Sequence, residues 1–243
     1  MKSHLTVSAL LLAAGALVAA DAKDEVKAAA TKLADASGYS WKATTDFGGG
    51  GRGMGGPTEG KAVKDGTICL MMSRGDNTIE MFKKGEKGAV KTQDGWQSIA
   101  EATAGGGGGG GGGQGNPARF MARTLQNYKA PAQEIIDMVA KLKDLKKEGD
   151  AYVGQMTEEG AKSLMSFGRG GPGGGNAPEI RNARGQVKIW LKDGLLSKYE
   201  YNLQGNMTFN NNDRDVNRTT TVEIKDVGTT KLEVPAAAKA KLS

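Results

Sequence analysis

The chain has 243 residues, a formal net charge of +6, 38 glycines, a single cysteine and a single histidine. One cysteine excludes an intrachain disulfide framework, and a mild, scattered positive charge reads as a solvated surface rather than a nucleic-acid footprint. His4 lies in the leader described next, so the remainder has no Ser-His-Asp or Cys-His nucleophile system and lacks the commonest metal ligand.

Lys2 and His4 open the chain, Leu5 to Val18 is an apolar run, and Val18-Ala19-Ala20 are small. This pattern predicts a secretory signal peptide over residues 1–22, cleaved after Ala20 or Ala22, and a mature chain that is periplasmic or secreted. No cysteine stands at the cleavage site to carry a lipid, and no later stretch is apolar enough to span a membrane. Residues 23–243 then form one domain.

Lys23 to Ala36 reads as an amphipathic helix with Val26, Ala29, Ala30 and Leu33 on one stripe, ended by Gly38. The first strand places Tyr39, Trp41, Ala43, Thr45 and Phe47 on one face. A glycine-rich loop follows at 48–57. Its Gly51-Arg-Gly-Met-Gly-Gly56 matches a dinucleotide-binding spacing, but a strand follows where phosphate binding needs a helix N-terminus.

From Glu59 to Ile99 turn residues recur every eight to twelve positions, the rhythm of a meander: Asp65-Gly66, Arg74-Gly75-Asp76-Asn77, Lys84-Gly85-Glu86 and Asp94-Gly95. Arg74-Gly75-Asp76 reads as a hairpin turn, not an adhesion motif. Cys69 stands in Ile68-Cys-Leu-Met-Met72, a buried-strand setting for a thiol. Gly105 to Gly113 anchors a second glycine-rich loop at 105–115, which buries no side chains and is expected to be disordered.

Pro117 to Tyr128 is helix-like, with Phe120, Met121, Thr124 and Leu125 on one face. Pro131 to Glu148 reads as the strongest helix, with Ile135, Val139, Leu142 and Leu145 as its stripe, an Asp137–Lys141 pair, and Gly149 closing it. A short strand at 151–156 leads to a helix capped by Thr157, with Glu158 and Glu159 in its first turn, ending near Met165. A third glycine-rich loop spans 168–175.

Gln186 to Lys192 alternates strictly, Asp193-Gly194 is a hairpin pair, and Leu196, Lys198 and Glu200 alternate with Ser197, Tyr199, Tyr201 and Leu203. Asn210 to Asn217 reads as a polar hairpin loop, and Thr219 to Asp226 as a β-branched strand with Val222 and Ile224 on one side. A side-chain period of two with one apolar face means an antiparallel sheet, half covered and half wet. With helices between the strand blocks, the fold class is α+β.

No catalytic carboxylate pair stands out: Glu158–Glu159 suits a helix dipole, and Asp213–Asp215 lacks EF-hand spacing. The chain is therefore expected not to be an enzyme, to need no cofactor or metal, and to bind no nucleic acid. What remains is apolar. Trp41, Met71, Met81, Phe82, Trp96, Ile189, Tyr199 and Tyr201 are the candidate lining of a cavity between sheet and helices.

The order of elements resembles the LolA/LolB-like superfamily of periplasmic lipid and lipoprotein carriers, which includes LppX- and LprG-like proteins. The residues that carry the resemblance are the leading helix, the meander with its Gln93-Asp-Gly-Trp96 turn, Val187-Lys-Ile-Trp-Leu-Lys-Asp-Gly-Leu-Leu-Ser-Lys-Tyr199 and Lys225-Asp-Val-Gly-Thr-Thr-Lys-Leu-Glu-Val-Pro235. The resemblance implies an unclosed β-barrel, a curved antiparallel sheet whose concave face is covered by helices with acyl chains bound between. It points to a hydrophobic small molecule or lipid as partner. The alternative is a structural or protein-interaction module of the cell envelope, with the glycine loops as spacers and an envelope protein as partner.

Overall fold

The computed structural model describes residues 10–48, 56–74, 77–104, 117–166, 179–209 and 212–243. The three expected glycine-rich loops and the Gly75-Asp76 part of the meander turn lie largely outside the described residues.

The chain begins with α1 (Leu10–Ala34), then runs a meander: β1 (Gly38–Phe47), β2 (Thr58–Val63), β3 (Thr67–Arg74), β4 (Asn77–Lys84), β5 (Lys87–Thr92) and β6 (Gly95–Ser98). Helices α2 (Ile99–Ala104), α3 (Pro117–Asn127) and α4 (Pro131–Ala140) follow. Next come β7 (Lys146–Glu148), β8 (Ala151–Gln155), α5 (Glu158–Met165), β9 (Glu179–Lys192), β10 (Leu195–Phe209), β11 (Asn212–Lys225) and α6 (Ala236–Lys239).

All eleven strands join one sheet in the order β6-β5-β4-β3-β2-β1-β11-β10-β9-β8-β7, and every neighbouring pair is antiparallel. The fold is α+β: a curved sheet left open between β6 and β7, with helices on its concave face. β1 sits at the centre, flanked by β2 and by the last long strand, so the two meanders meet through the chain's most distant strands. Beyond the ladder, Gly228 N–H donates to the Gly38 carbonyl at 2.7 Å.

The concave face is covered in two parts. α1 lies on β9 and β10 and against α4, and α5 lies on β9; α2 and α3 cover β4, β5 and β6. The stripe of α1 does what its spacing predicts, since Val26, Ala29, Ala30 and Leu33 are all buried. Val26 and Leu33, fully buried, contribute roughly 1.5–3 kcal/mol each, and each alanine less.

Several expectations need correction. The helix placed at 131–148 ends at Ala140, and Lys146–Glu148 is an edge strand paired with β8. The stripe residues Leu142 and Leu145 are nevertheless buried, because β8 and β9 draw the chain into the sheet and tertiary packing overrides local propensity. Gly149 closes the β7–β8 turn instead of a helix, with φ of 64°. Asp137 pairs with Lys129 and accepts from Gln133, in place of the expected Lys141 ion pair.

Second, Phe120 is 49% exposed while Met121 and Leu125 are buried, so the apolar face of α3 is narrower than its spacing suggests. Third, Asp213 to Asn217 is strand, not hairpin loop. Side-chain ladders hold it: Asn206 donates to Asp215 at 2.6 Å, Asn202 to Asn217 at 3.0 Å, and Thr208 donates to Asp213 at 2.5 Å.

Fourth, a bulge between Leu196 and Lys198 puts two residues of β10 opposite one of β9. It reverses the alternation, so Leu196 shares the covered face with Tyr199 and Leu203 rather than opposing them. The turn before it is as expected: Asp193 and Gly194 both have positive φ, 54° and 71°, the geometry of a tight hairpin. The leading helix also starts earlier and ends sooner than 23–36, at Leu10 and Ala34.

Candidate functional site

Strand parity divides the eight candidate lining residues. Trp41, Met81, Ile189, Tyr199 and Tyr201 lie on the concave, helix-covered face and belong to the main core. Met71, Phe82 and Trp96 lie on the opposite face, in a second cluster with Cys69, Ala89 and Ala238. Met81 and Phe82 are neighbours in β4, so a period of two sends them to opposite sides. One cavity cannot hold both.

Cross-strand register orders the concave face into rows. Trp41 is opposite Gly60, Gly60 opposite Leu70, and Leu70 opposite Met81. The indole of Trp41 lies flat across Gly60, where an added Cβ would come within 2.1 Å of the ring; only glycine leaves that space. The next row runs through Ala43, Val222, Tyr199 and Ile189, and the next through Thr45, Thr220, Tyr201 and Val187.

At the centre of these rows α4 delivers a carboxyl group. Glu134 accepts from the hydroxyl of Tyr199 through a short hydrogen bond at Oε2 and from that of Tyr201 at 3.5 Å, the limit for such a bond, at Oε1. The two phenols stack with centroids 6.4 Å apart. Beside them Tyr128, just past the end of α3, stacks on Trp41 at 6.3 Å and accepts from its indole N–H at 3.1 Å. Tyr39 packs against Trp41 at 5.6 Å, and the hydroxyls of Thr45 and Thr220 meet at 3.0 Å.

Burial governs the electrostatics here. It pushes the Glu134 carboxyl above its ordinary value of 4.5, opposed by the two tyrosine hydrogen bonds. It pushes the Tyr128, Tyr199 and Tyr201 phenols well above 10 and that of Tyr39 up to about 12. Lys83 is pulled below its ordinary value by burial; its ammonium donates to the carbonyls of Gln126 and Tyr128 at 2.7 and 2.9 Å and so holds the end of α3. The group hydrogen-bonds. Among the described residues no three His, Cys, Asp or Glu side chains gather to hold a metal ion.

The concave face is not covered evenly. Glu134, Tyr128 and Tyr201 are half-buried, as are the apolar Ala43, Met72, Ile79, Leu164 and Val216 packed against the core. By register Ala43, Met72 and Ile79 lie toward the open ends of β1, β3 and β4, so an apolar margin leads from solvent to the tyrosine–glutamate cluster.

The opposite face carries a cleft of about 380 Å3 lined by Lys61, Cys69, Met71, Glu80, Phe82, Lys231, Leu232 and Glu233. It lies under the C-terminal segment rather than between sheet and helices. Burial pushes the Cys69 thiol up to about 11, which leaves it a poor nucleophile.

Glu134 and Tyr128 are absent from the residues picked out by sequence. A signal for Glu134 existed: it stands three residues after Pro131 and four before Met138, both buried, so a carboxyl occupies the apolar stripe of α4. Nothing in the sequence places Tyr128, whose position depends on the turn between α3 and α4.

No protein-family model matches the chain, and no curated protein matches it in sequence. Among solved structures it is similar to the crystal structure of the Mycobacterium tuberculosis lipoprotein LppX, at 8% identity over 88% of this chain and 98% of that one, with a TM-score of 0.47. It is also similar to LprF from Mycobacterium bovis, at 9% identity over 90% and 98% of the two chains, TM-score 0.45. A LolA superfamily protein from Nitrosomonas europaea follows, at 10% identity over 89% and 95%, TM-score 0.37. The likeness is one of fold. No helix among the described residues is long and apolar enough to cross a membrane.

Proposed function

We propose that this protein is a non-enzymatic carrier that holds a lipid or other acyl-chain ligand between its open sheet and the helices on the concave face. The observation that supports the reading most directly is the half-buried apolar margin, Ala43, Met72, Ile79, Leu164 and Val216, continuous with a core of Trp41, Met81, Ile189 and Tyr199. Apolar surface left half-exposed beside a core is where an apolar ligand gains most from burial, roughly 25 cal/mol per Å2. The ligand enters at that margin and lodges under α4 and the α3–α4 turn. Trp41, Met81, Ile189, Tyr199 and Tyr201 are the lining residues in this reading; Met71, Phe82 and Trp96, on the other face, are not. Export through the residue 1–22 leader places the carrier in the periplasm or outside the cell.

Native mass spectrometry of protein purified from the periplasm without detergent tests this. A heterogeneous excess mass that resolves into lipid on extraction is the expected result. A clean apo mass that stays clean after incubation with phospholipid vesicles would end the carrier reading.

A further inference from the structure

Among the described residues one large apolar side chain is left in water. Phe120 of α3 is 49% exposed, while Met121, Ala122 and Leu125 on the same helix are buried. A lone exposed phenylalanine is ordinary, so its surroundings decide what it means. Arg119 and Arg123 are both exposed and share with Phe120 one sector of about 100° around the helix. α3 holds no acidic residue. The nearest carboxylates in the chain are Glu101 and Glu134; Lys241 holds the first at 2.7 Å, and the second accepts from Tyr199 inside the fold. The outer side of α3 is therefore a basic surface with one aromatic ring standing in it.

We propose that Arg119, Phe120 and Arg123 form a docking surface for an anionic phospholipid bilayer. Phe120 enters the boundary between headgroups and acyl chains, and the two guanidiniums meet lipid phosphates, which their planar donor geometry suits. An acidic protein would also attract the arginines, but it must supply a shaped pocket for the ring, whereas a bilayer takes the ring up at any point. The choice of a bilayer rests on the carrier reading above. α3 packs on β4 and β5 with Met121 in the core of Met81 and Val90, while α6 reaches β5 from the back, with Ala238 beside Ala89. A bilayer held by α3 thus faces the helix-covered side of the sheet, the side on which that reading places the ligand. One ring and two charges fall short of what permanent anchoring takes, so the contact is reversible, as a carrier that must leave its donor membrane requires.

The test is co-sedimentation of the purified, exported full chain with vesicles of phosphatidylcholine alone and of equimolar phosphatidylcholine and phosphatidylglycerol. Binding to the anionic vesicles, weakening as sodium chloride is added, is expected. Phe120→Ala should weaken it about tenfold, and Arg119→Gln and Arg123→Gln about fivefold each. All three side chains are exposed, so urea midpoints should stay unchanged. Phe120→Trp should keep the binding and gain quenching by brominated acyl chains beyond that of the unaltered chain. Equal binding to both vesicle types, or full binding by Phe120→Ala, overturns the docking surface. So does a Phe120-dependent dimer that ignores vesicles, which would assign the patch to a second copy. Native mass spectrometry of the unbound fraction reads the carrier function separately. Lipid carried by a chain that does not bind vesicles overturns the docking surface alone. Phe120-dependent vesicle binding with no lipid taken up overturns the carrier reading alone.

Discussion

The two halves of the sheet solve the same problem differently. On one side of the centre β9, β10 and β11 are strands of 14, 15 and 14 residues, covered in front by α1, α4 and α5. Their outward row is a polar ladder of Asn202, Gln204, Asn206, Thr208 and their partners. On the other side β2 to β6 are only four to eight residues long, and β3, β4 and β5 bury apolar residues on both faces. Leu70 and Met81 face α2 and α3, while Cys69, Phe82 and Ala89 face the C-terminal segment, which lays Leu232, Val234, Ala238 and Leu242 across them. A strand with one polar row can stand against water, whereas a strand apolar on both rows must be sandwiched. The segment 231–242 is therefore the structural counterpart of the polar ladder, not a trailing end.

That difference can be broken from the back. Phe82 is fully buried behind the short half, so Phe82→Ala should cost about 3–5 kcal/mol by urea unfolding. The exposed Lys188, behind the long half, should tolerate Lys188→Ala within about 0.5 kcal/mol. Comparable losses at both positions would mean that the halves are not built differently.

Truncation after Thr230 removes the rear cover of the short half alone, and is expected to cost about 2–4 kcal/mol from the lost burial of Leu232, Val234 and Ala238. Amide exchange should then rise in β3 to β6 while β9 to β11 stay protected.

At the junction, Gly60→Ala drives a Cβ into the Trp41 indole and should cost about 1–3 kcal/mol. The Trp41–Tyr128 stack should open with it, read as a change in tryptophan emission.

The smallest expected effect is a pH trend. Burial holds the Glu134 carboxyl above 4.5, so the folded chain binds that proton more tightly than the unfolded chain does. This contribution to stability is complete below 4.5 and is lost as pH rises through the raised folded value. Glu134→Gln should flatten that fall, seen as a smaller drop in Tm between pH 4.5 and 8; an unchanged slope would mean that Glu134 is not the group responsible.

Much of the fold was legible because strand parity and turn chemistry are local. The Asp193-Gly194 hairpin, the Thr157 cap, whose side chain accepts from Gly160 N–H at 3.0 Å, and the Val26–Leu33 stripe follow from near neighbours in the chain. The errors lie where pairing with the adjoining strand overrides the residues' own pattern. Lys146–Glu148 is a strand because β8 lies beside it, and Asp213–Asn217 is a strand because β10 offers polar partners across the ladder. The site was read by apolarity alone, which collected Met81 and Phe82 together although they point apart, and passed over Glu134 because an isolated carboxyl in a helix's first turn reads as a solvated group.

By itself, then, the sequence determined an antiparallel α+β sheet with one leading amphipathic helix, a chain whose one histidine is His4, and an apolar interior rich in methionine and aromatic residues. These properties are set by side-chain period, turn residues and composition, all of which act over a few positions. Only the tertiary structure decided that β1 lies between β2 and β11, that the C-terminal segment covers the back of the short half, and that Glu134 meets Tyr199 and Tyr201. The Glu134–Tyr199 bond and the Ser40–Asp226 bond beside the β1–β11 ladder join residues 65 and 186 positions apart in the chain, a separation at which local pattern carries no information.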